Sequence, residues 1–297
     1  MKRVFMFRFF PSLPAILFAT MRYGVLLAFV LIPLAPAGEG RICASQQDSA
    51  GEFTAEGMLS IPFHQTVVGE ELPGKFDLVL FLHGAGERGT DNRQHLVFGY
   101  EPMVRYCVEN RIKAVLLFPQ CPSRNQWSAI RIPTIDPPLT PEPAPPLASA
   151  VGLLCLKKAE FDTGRVYAVG ISMGGYGVWD LLVRYPGMFS AAMAICGGGD
   201  SARAADLVGL PLYVAHGSND NLVPVARSRA MVKAIWREGG DKVTYQEFPQ
   251  VGHSVWNNVF AEDACWEWLF RQRGKKPRMR SRWYPVPKVF PWQSRLF

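Results

Sequence analysis

A serine lies at the centre of a glycine-rich motif, Gly170-Ile171-Ser172-Met173-Gly174. A strand-like run at 166–169 comes directly before this motif, and a helical pattern follows it. In a G-x-S-x-G motif the small residues permit a tight strand–turn–helix, which lifts the serine hydroxyl clear of the sheet edge. The amides at the N-terminus of the following helix favour the negative charge that develops there. The motif predicts that Ser172 is a nucleophile.

A neutral serine hydroxyl needs a base, and the base needs a group that orients it. Asp220 follows the strand-like run 212–215, and His253 follows the run 243–248. His253 is the only one of the five histidines that lies downstream of Asp220. We therefore predict a triad of Ser172, Asp220 and His253. Asp200, after the run 191–196, is the competing acid, and Asp220 is preferred.

Acyl transfer also needs two preorganised amide donors that hold the oxyanion. The strand-like run 78–82 ends in a glycine-rich turn at 83–89, which could bring a backbone N–H over the nucleophile. We assign the two donors to Ala85 and Met173, with Gly86 as the alternative to Ala85. His83, at the strand end, is expected to be structural.

Three further loop residues are weaker candidates for substrate contact. Trp127 and Trp256 could wall a pocket or pack in the interior, because aromatic residues are favoured in both settings. Gln120 could contact substrate or hold its own loop. The spacing of the six cysteines indicates no zinc site, and one or two disulfides or buried free thiols are both compatible with it.

The elements that would position these residues alternate along the chain. Short apolar runs that suit buried strands recur at 78–82, 114–118, 166–171, 191–196, 212–215 and 243–248. Helical patterns fall near 104–110, 147–158, 176–185, 225–238 and 258–272. Such alternation predicts an α/β fold with a mostly parallel central sheet that is covered by helices on both faces. Residues 53–67 are expected to supply the early strands.

Several of these motifs together resemble those of a known family. The stretches LFLHGAGERGTDN (80–92), FPQCP (118–122), GISMGGYGVW (170–179), HGSNDNLVP (216–224) and GHSVW (252–256) look like bacterial α/β-hydrolases. The group they resemble most is the phospholipase/carboxylesterase-like family, which borders the feruloyl and acetyl-xylan esterases and the polyhydroxybutyrate depolymerases. The resemblance covers about 55–272. It implies a serine esterase with a triad at Ser172, Asp220 and His253, and neither metal nor cofactor.

Net charge and composition describe the two ends of the chain. The 297 residues carry a net charge of +7, of which 1–44 contribute +4 and 271–297 contribute +9, so that 45–270 is acidic at −6. A nucleic-acid-binding domain would need its positive charge on a folded face, so this distribution argues against such a domain.

Residues 1–44 are interpreted as a signal-peptide region whose true start is Met21, because a short basic start, an apolar run and Ala35-Pro36-Ala37 follow in that order. Residues 274–297 are interpreted as a basic disordered tail.

The sequence therefore predicts an exported carboxylic-ester hydrolase whose catalytic domain spans 45–273. Its expected partner is a small-molecule or polysaccharide-linked ester, with no nucleic acid and no stable membrane insertion after signal cleavage. A proline-rich surface loop is predicted at 133–146, where seven of 14 residues are proline. The alternatives are a serine peptidase of the prolyl-oligopeptidase type and a non-catalytic binding protein on a hydrolase fold.

Overall fold

The computed structural model of the chain describes residues 43–130 and 135–272. The predicted signal-peptide region up to residue 42 and the predicted tail at 274–297 lie outside the described residues. Residues 131–134, at the start of the proline-rich stretch, lie outside them as well.

One eight-stranded sheet forms the centre of the described fold, with the spatial order β1-β2-β4-β3-β5-β6-β7-β8. Strands β3 to β8 are parallel to their neighbours in this set, whereas β2 pairs antiparallel with both β1 and β4. The strands are β1 (Gln46–Phe53), β2 (Ile61–Val68), β3 (Phe76–Leu82), β4 (Ala114–Pro119), β5 (Thr163–Ile171), β6 (Ala191–Ile195), β7 (Leu212–Gly217) and β8 (Val243–Phe248). All six strands predicted between 78 and 248 are present.

Helices cover both faces of this sheet. They are α1 (Tyr100–Glu109), α2 (Pro145–Glu160), α3 (Met173–Arg184), α4 (Ala226–Arg237), α5 (Trp256–Phe260) and α6 (Ala264–Arg271). Three short 3-10 helices lie at Ala85–Glu87, Gln94–Leu96 and Ser201–Leu207. None of the described helices is both long and apolar enough to cross a membrane.

Strand β3 shows why the sheet is buried on both sides. All seven of its residues are buried, and alternate side chains point to opposite faces of a strand. Leu78 and Leu80 join the apolar cluster formed with α2, α3 and α4. Val79 and Phe81 join a second cluster, formed with α1, α5 and α6. This three-layer arrangement confirms the predicted α/β-hydrolase fold class.

Two expectations about helices need correction. The proline-rich stretch does not remain a loop to residue 146, because Pro145 and Pro146 form the first turn of α2. Proline suits this position, since its fixed φ is helical and the N–H that it lacks would have no partner there. The single helical pattern at 258–272 corresponds to two helices, α5 and α6. Between them Asp263 receives a 2.6 Å hydrogen bond from Arg105 of α1.

All six cysteines lie in the described part of the chain, and all are free thiols. Burial raises the pKa of Cys121 and of Cys265 to about 12 and raises that of Cys107 and Cys196 further. The sequence left open disulfides or free thiols, and the structure contains free thiols.

Candidate active site

Ser172 occupies a strained turn between β5 and α3. Its φ of 52° and ψ of −116° lie in a region that residues with a side chain rarely adopt. The flanking glycines are required by close backbone contacts. A Cβ on Gly170 would lie 2.3 Å from the carbonyl oxygen of Gly174, and a Cβ on Gly174 would lie 1.9 Å from that of Leu82. The glycines of the motif therefore hold the serine at the carboxyl edge of the sheet.

Ser172, His253 and Asp220 form a continuous hydrogen-bonded chain. Ser172 Oγ lies 2.8 Å from His253 Nε2, and His253 Nδ1 lies 2.7 Å from Asp220 Oδ2. A carboxylate only accepts, so Nδ1–H donates to Asp220 and Nε2 is left to accept the proton of the serine hydroxyl. The Asp220 side chain is fully buried, whereas that of His253 is 15% exposed. The structure thus brings together the three residues that the sequence assigned to a triad.

The loops after β7 and β8 carry Asp220 and His253 and are bound to each other. Asn219 donates its backbone N–H to the carbonyl of Val251 at 3.0 Å, and Ser218 donates to that of Phe248 at 2.9 Å. A Cβ on Gly217 would lie 2.3 Å from the Val251 carbonyl oxygen. This close approach fixes the acid loop against the histidine loop.

Asp220 is anchored by more than the His253 imidazole. Its Oδ1 accepts backbone N–H groups of Leu222 at 2.9 Å and of Val223 at 2.8 Å. His216 Nε2 lies 3.3 Å from Oδ2 and 2.9 Å from the Val223 carbonyl oxygen. Both of these are acceptors, so His216 is protonated on Nε2, and Ser228 Oγ contacts its Nδ1 at 2.7 Å. Burial lowers the pKa of His216, which favours the neutral ring beside Asp220.

The alternative acid, Asp200, has other partners. Its carboxylate caps the 3-10 helix at Ser201–Leu207 by accepting the Ala202 N–H, and it also accepts the Leu139 N–H at 3.0 Å. The structure joins Asp220, and not Asp200, to His253.

The turn assigned to the oxyanion lies directly against the nucleophile. A Cβ on Gly84 would lie 3.6 Å from Ser172 Cβ. Ala85 follows on the exposed side of this turn, and its carbonyl accepts a hydrogen bond from Arg88 Nε at 2.8 Å. Met173 is the first residue of α3, where amides lack partners within the helix. Around the position of Gly86, the alternative donor, there is open space.

His83 has the structural role expected from the sequence. Its Nε2 accepts the N–H of Cys121 at 2.9 Å, so its Nδ1 donates to the carbonyl of Gly84 at 2.6 Å. Burial lowers the pKa of His83 to about 3, so the ring stays neutral. Through these two hydrogen bonds, His83 links the segment after β4 to the turn that carries Ala85.

Two of the three weaker candidates for substrate contact lie in the interior. Gln120 is fully buried: its Oε1 accepts the Asn92 N–H at 2.8 Å and its Nε2 donates to Asp91 at 2.8 Å. Trp127 is also fully buried, and its indole N–H donates to the His83 carbonyl at 3.0 Å. Neither side chain offers a surface to a substrate, because both are used to hold the loops around the site. Trp256, 8% exposed, instead packs edge-to-face on the His253 ring, with 5.2 Å between ring centroids.

Sequence reasoning missed Glu87, whose carboxyl lies beside the nucleophile. The Glu87 residue is 8% exposed, and its Oε2 has no hydrogen-bond partner among the described residues. A Cβ on Gly84 would lie 2.7 Å from this oxygen and 3.6 Å from Ser172 Cβ, so the carboxyl and the serine are close neighbours beside this glycine. Burial raises the pKa of Glu87, against the opposing effects of two backbone amides and of His253. The only sequence signal was its place inside the glycine-rich turn.

Cys196 lies close to Asp220 and His253, and these three residue types could together bind a metal ion. The ligand atoms of Cys196, Asp220 and His253 lie within 4.8 Å of one another. Asp220 and His253 are already hydrogen-bonded to each other, and the Cys196 thiol is buried with a raised pKa, which disfavours the thiolate that metals bind. The geometry favours an acid–base role for His253 and Asp220 over metal binding.

Comparison with known proteins gives one family match and many structural ones. Residues 149–264 match the dienelactone hydrolase family. No curated protein matches the chain significantly.

Among solved structures, a thermostable esterase is 32% identical, with a TM-score of 0.69 over 76% of this chain and 63% of that one. The chain thus spans less than two thirds of that esterase. A ferulic acid esterase is 15% identical, with a TM-score of 0.57 over 77% of this chain and 99% of that one. The acylaminoacyl peptidase of Pyrococcus horikoshii is 14% identical, with a TM-score of 0.56 over 80% of this chain and 43% of that one.

At identities this low the last two similarities concern the fold alone. They agree with the resemblance to α/β-hydrolases that the motifs indicated. The chain therefore has the α/β-hydrolase fold and contains, at 149–264, a segment that matches the dienelactone hydrolase family.

Proposed function

We propose that this protein is a serine carboxylic-ester hydrolase that acts through an acyl-enzyme. The observation that carries the proposal is the chain of contacts from Ser172 Oγ to His253 at 2.8 Å and from His253 to Asp220 at 2.7 Å. The family match at 149–264 and the similarity to a thermostable esterase support the same reaction class. The substrate is a small-molecule or polysaccharide-linked ester.

The reaction follows from the positions of the donors and acceptors. His253 Nε2 takes the proton of Ser172 as Oγ attacks the ester carbonyl, and Asp220 holds the imidazole and stabilises its cation. The amides of Ala85 and Met173 hold the oxyanion of the tetrahedral intermediate. The leaving alcohol collects the proton from His253, which then activates the water that releases the acid.

Replacement of the nucleophile tests the proposal. Ser172→Ala should fold and lose on the order of 10⁴–10⁶ in kcat on a soluble chromogenic ester, as triad knockouts do elsewhere. Ser123→Ala removes an exposed serine hydroxyl and should keep wild-type kcat. A fluorophosphonate should label the wild type at Ser172 and leave Ser172→Ala unlabelled. A folded Ser172→Ala variant with a tenth of wild-type turnover would contradict the assignment, and no adduct on the wild type would favour a binding protein.

The peptidase alternative uses the same triad and differs in substrate. Assay of N-acyl peptides beside esters with the same acyl group separates the two, and we expect turnover of the esters only. Faster cleavage of the peptide would assign the site to a peptidase.

We also propose that the protein is exported. The support is the order of a basic start, an apolar run and a small-residue site within residues 21–37. N-terminal sequencing of the protein from its native cells should find a start close to residue 38. A mature protein that retains the apolar run would contradict export by cleavage.

A further inference from the structure

A surface groove of about 390 Å³ lies beside the histidine of the candidate site. One wall comes from residues 97–105 and the other from residues 256–261. Val97 is 58% exposed at its edge, an unusual degree of exposure for a large apolar side chain in this molecule. Phe98 and Phe260 contribute apolar surface to the same groove.

The groove shares a wall with the catalytic imidazole. Trp256 lines the groove, and its ring packs perpendicular to that of His253 at a centroid distance of 5.2 Å. Phe98 packs on the same indole at 5.5 Å. Trp256 therefore lies between the imidazole and Phe98, so the groove borders the site across this one side chain.

The chemistry of ester cleavage assigns a side of the site to each half of the substrate. His253 Nε2 must deliver its proton to the leaving oxygen, so the leaving alcohol lies beside the imidazole. The acyl half stays bonded to Ser172, with its carbonyl oxygen at the amides of Ala85 and Met173. The groove borders this imidazole across Trp256, so it is the neighbouring surface available to a long alcohol.

The charged groups of the groove disfavour an anionic alcohol. Arg105 is engaged by Glu109 at 3.1 Å and by Asp263 at 2.6 Å. Glu101 adds a carboxylate to the lining. An alcohol that carried a phosphate would meet no free cation among these side chains, whereas an apolar chain or ring would bury surface on Val97 and Phe98.

We propose that this groove is the subsite for the alcohol half of the substrate and that it takes apolar alcohols, aliphatic or aromatic. The proposal rests on the proposed esterase function. It makes Val97 and Phe98 specificity-determining residues for the leaving group and gives them no part in the choice of the acyl group.

Two series of esters test it. In the first, the acyl group stays acetyl and the alcohol grows from methyl to hexyl and benzyl. In the second, the alcohol stays methyl and the acyl chain grows. For the wild type, kcat/KM should rise by up to about fourfold per methylene in the alcohol series, since a fully buried methylene contributes roughly this much.

Val97→Asp places a charge at the edge of the groove. It should lower kcat/KM for hexyl and benzyl acetate by about tenfold, because an apolar group no longer meets an apolar surface there. It should leave methyl acetate and the acyl series within about twofold of the wild type. Val208→Asp is the matched control, since Val208 is 37% exposed and does not line the groove. It should leave both series unchanged.

A partition measurement makes the test independent of the amount of folded protein. When an added alcohol attacks the acyl-enzyme, its proton passes to His253 Nε2 and on to Ser172 Oγ as the acyl–Oγ bond breaks, and a new ester is released. The ratio of new ester to free acid with hexanol should exceed that with methanol in the wild type. Val97→Asp should abolish this excess, and Val208→Asp should keep it.

The outcomes separate the subsite from the function. The subsite would be overturned, and the esterase function kept, if the wild type is active and Val97→Asp lowers kcat/KM equally in the alcohol and acyl series. A preference for sugar acetates over hexyl acetate would also overturn it. Absence of ester turnover in the wild type would instead reject the proposed function.

Discussion

Asp220 is the residue through which the loop after β7 controls the imidazole. Two backbone amides bind its Oδ1, while His253 and His216 contact its Oδ2. A carboxylate with all these donors has a fixed orientation, so the ring of His253 is held with Nε2 towards Ser172. The neutral His216 contributes a donor without a positive charge that would compete with His253 for the carboxylate.

We expect Asp220→Asn to lower kcat by on the order of 10⁴, because the amide group can donate to Nδ1 and hold the wrong imidazole tautomer. Asp200→Asn is the control. Its side-chain oxygen can still accept from Leu139 or Ala202, and kcat should stay close to wild type. The reverse pattern in a steady-state assay would move the acid to the loop after β6.

Glu87 links the site to the pH dependence of stability. Burial raises its pKa above the ordinary 4.5, so between 4.5 and the raised value the folded protein keeps a proton that the unfolded chain has lost. Stability therefore falls as the pH rises through this window. Glutamine does not ionise, and Glu87→Gln should remove that loss.

Glu87→Gln should have a higher Tm than the wild type at pH 7, and this difference in Tm should be smaller at pH 4. Thermal unfolding followed by circular dichroism measures it. Glu56→Gln changes an exposed side chain and should shift Tm equally at both pH values. A Glu87→Gln difference that is the same at both pH values would show that Glu87 does not gain this penalty on folding.

At the scale of the elements, the sequence predicted the features that local chemistry determines. The buried strands stand out as apolar runs, and the turn at Ser172 needs glycine because a Cβ on Gly170 or Gly174 would lie only 1.9–2.3 Å from a backbone oxygen. The acid and histidine loops were predicted from their place after β7 and β8. The interior positions of Gln120 and Trp127 could not be predicted, because they depend on how the loops after β3 and β4 pack on each other. The same holds for the roles of Glu87 and His216.

The proline-rich stretch is fixed to the helix layer by a buried ion pair. Arg184 at the end of α3 is paired with Asp180, and both side chains are 0–1% exposed. Arg184 also donates to the carbonyls of Pro141 at 2.9 Å and Thr140 at 2.8 Å. Asp180 in turn accepts from Ser128 at 2.7 Å. The guanidinium therefore holds Thr140 and Pro141, while Asp200 holds Leu139 of the same stretch, in which the local sequence has no periodic pattern.

Arg184→Met should lower the free energy of unfolding by about 3–5 kcal/mol, because it leaves the Asp180 carboxylate buried without its cation. Arg203→Met breaks the partly exposed pair with Asp206 and should cost less than about 1 kcal/mol. Urea unfolding of the three proteins gives both values. Equal small losses for the two variants would show that the buried pair does not anchor the stretch.

Across the whole sequence, the positive charge is concentrated at the two ends, and the residues that carry the proposed chemistry lie between them. Residues 271–297 hold nine Lys and Arg and no acid, whereas 45–270 carries −6. The described fold ends at Gln272, whose carbonyl accepts the Tyr167 hydroxyl at 2.9 Å. Helix α6, just before it, buries Trp266 and Leu269 completely. Among the described residues, the last contact with β5 is thus made at Gln272.

Truncation after Arg273 should keep kcat/KM on a small soluble ester within about twofold of the full chain, since terminal segments are usually dispensable. The deletion removes seven of the nine cations in 271–297, so retention on an anionic polymer should weaken at low salt and converge with the full chain above ~0.1 M. Truncation after Glu262 removes α6 and is the opposing control, which should fail to fold because the apolar surface under Trp266 is exposed. A chain that ends at Arg273, is folded by circular dichroism and is inactive on the small ester would show that the basic segment helps to build the site.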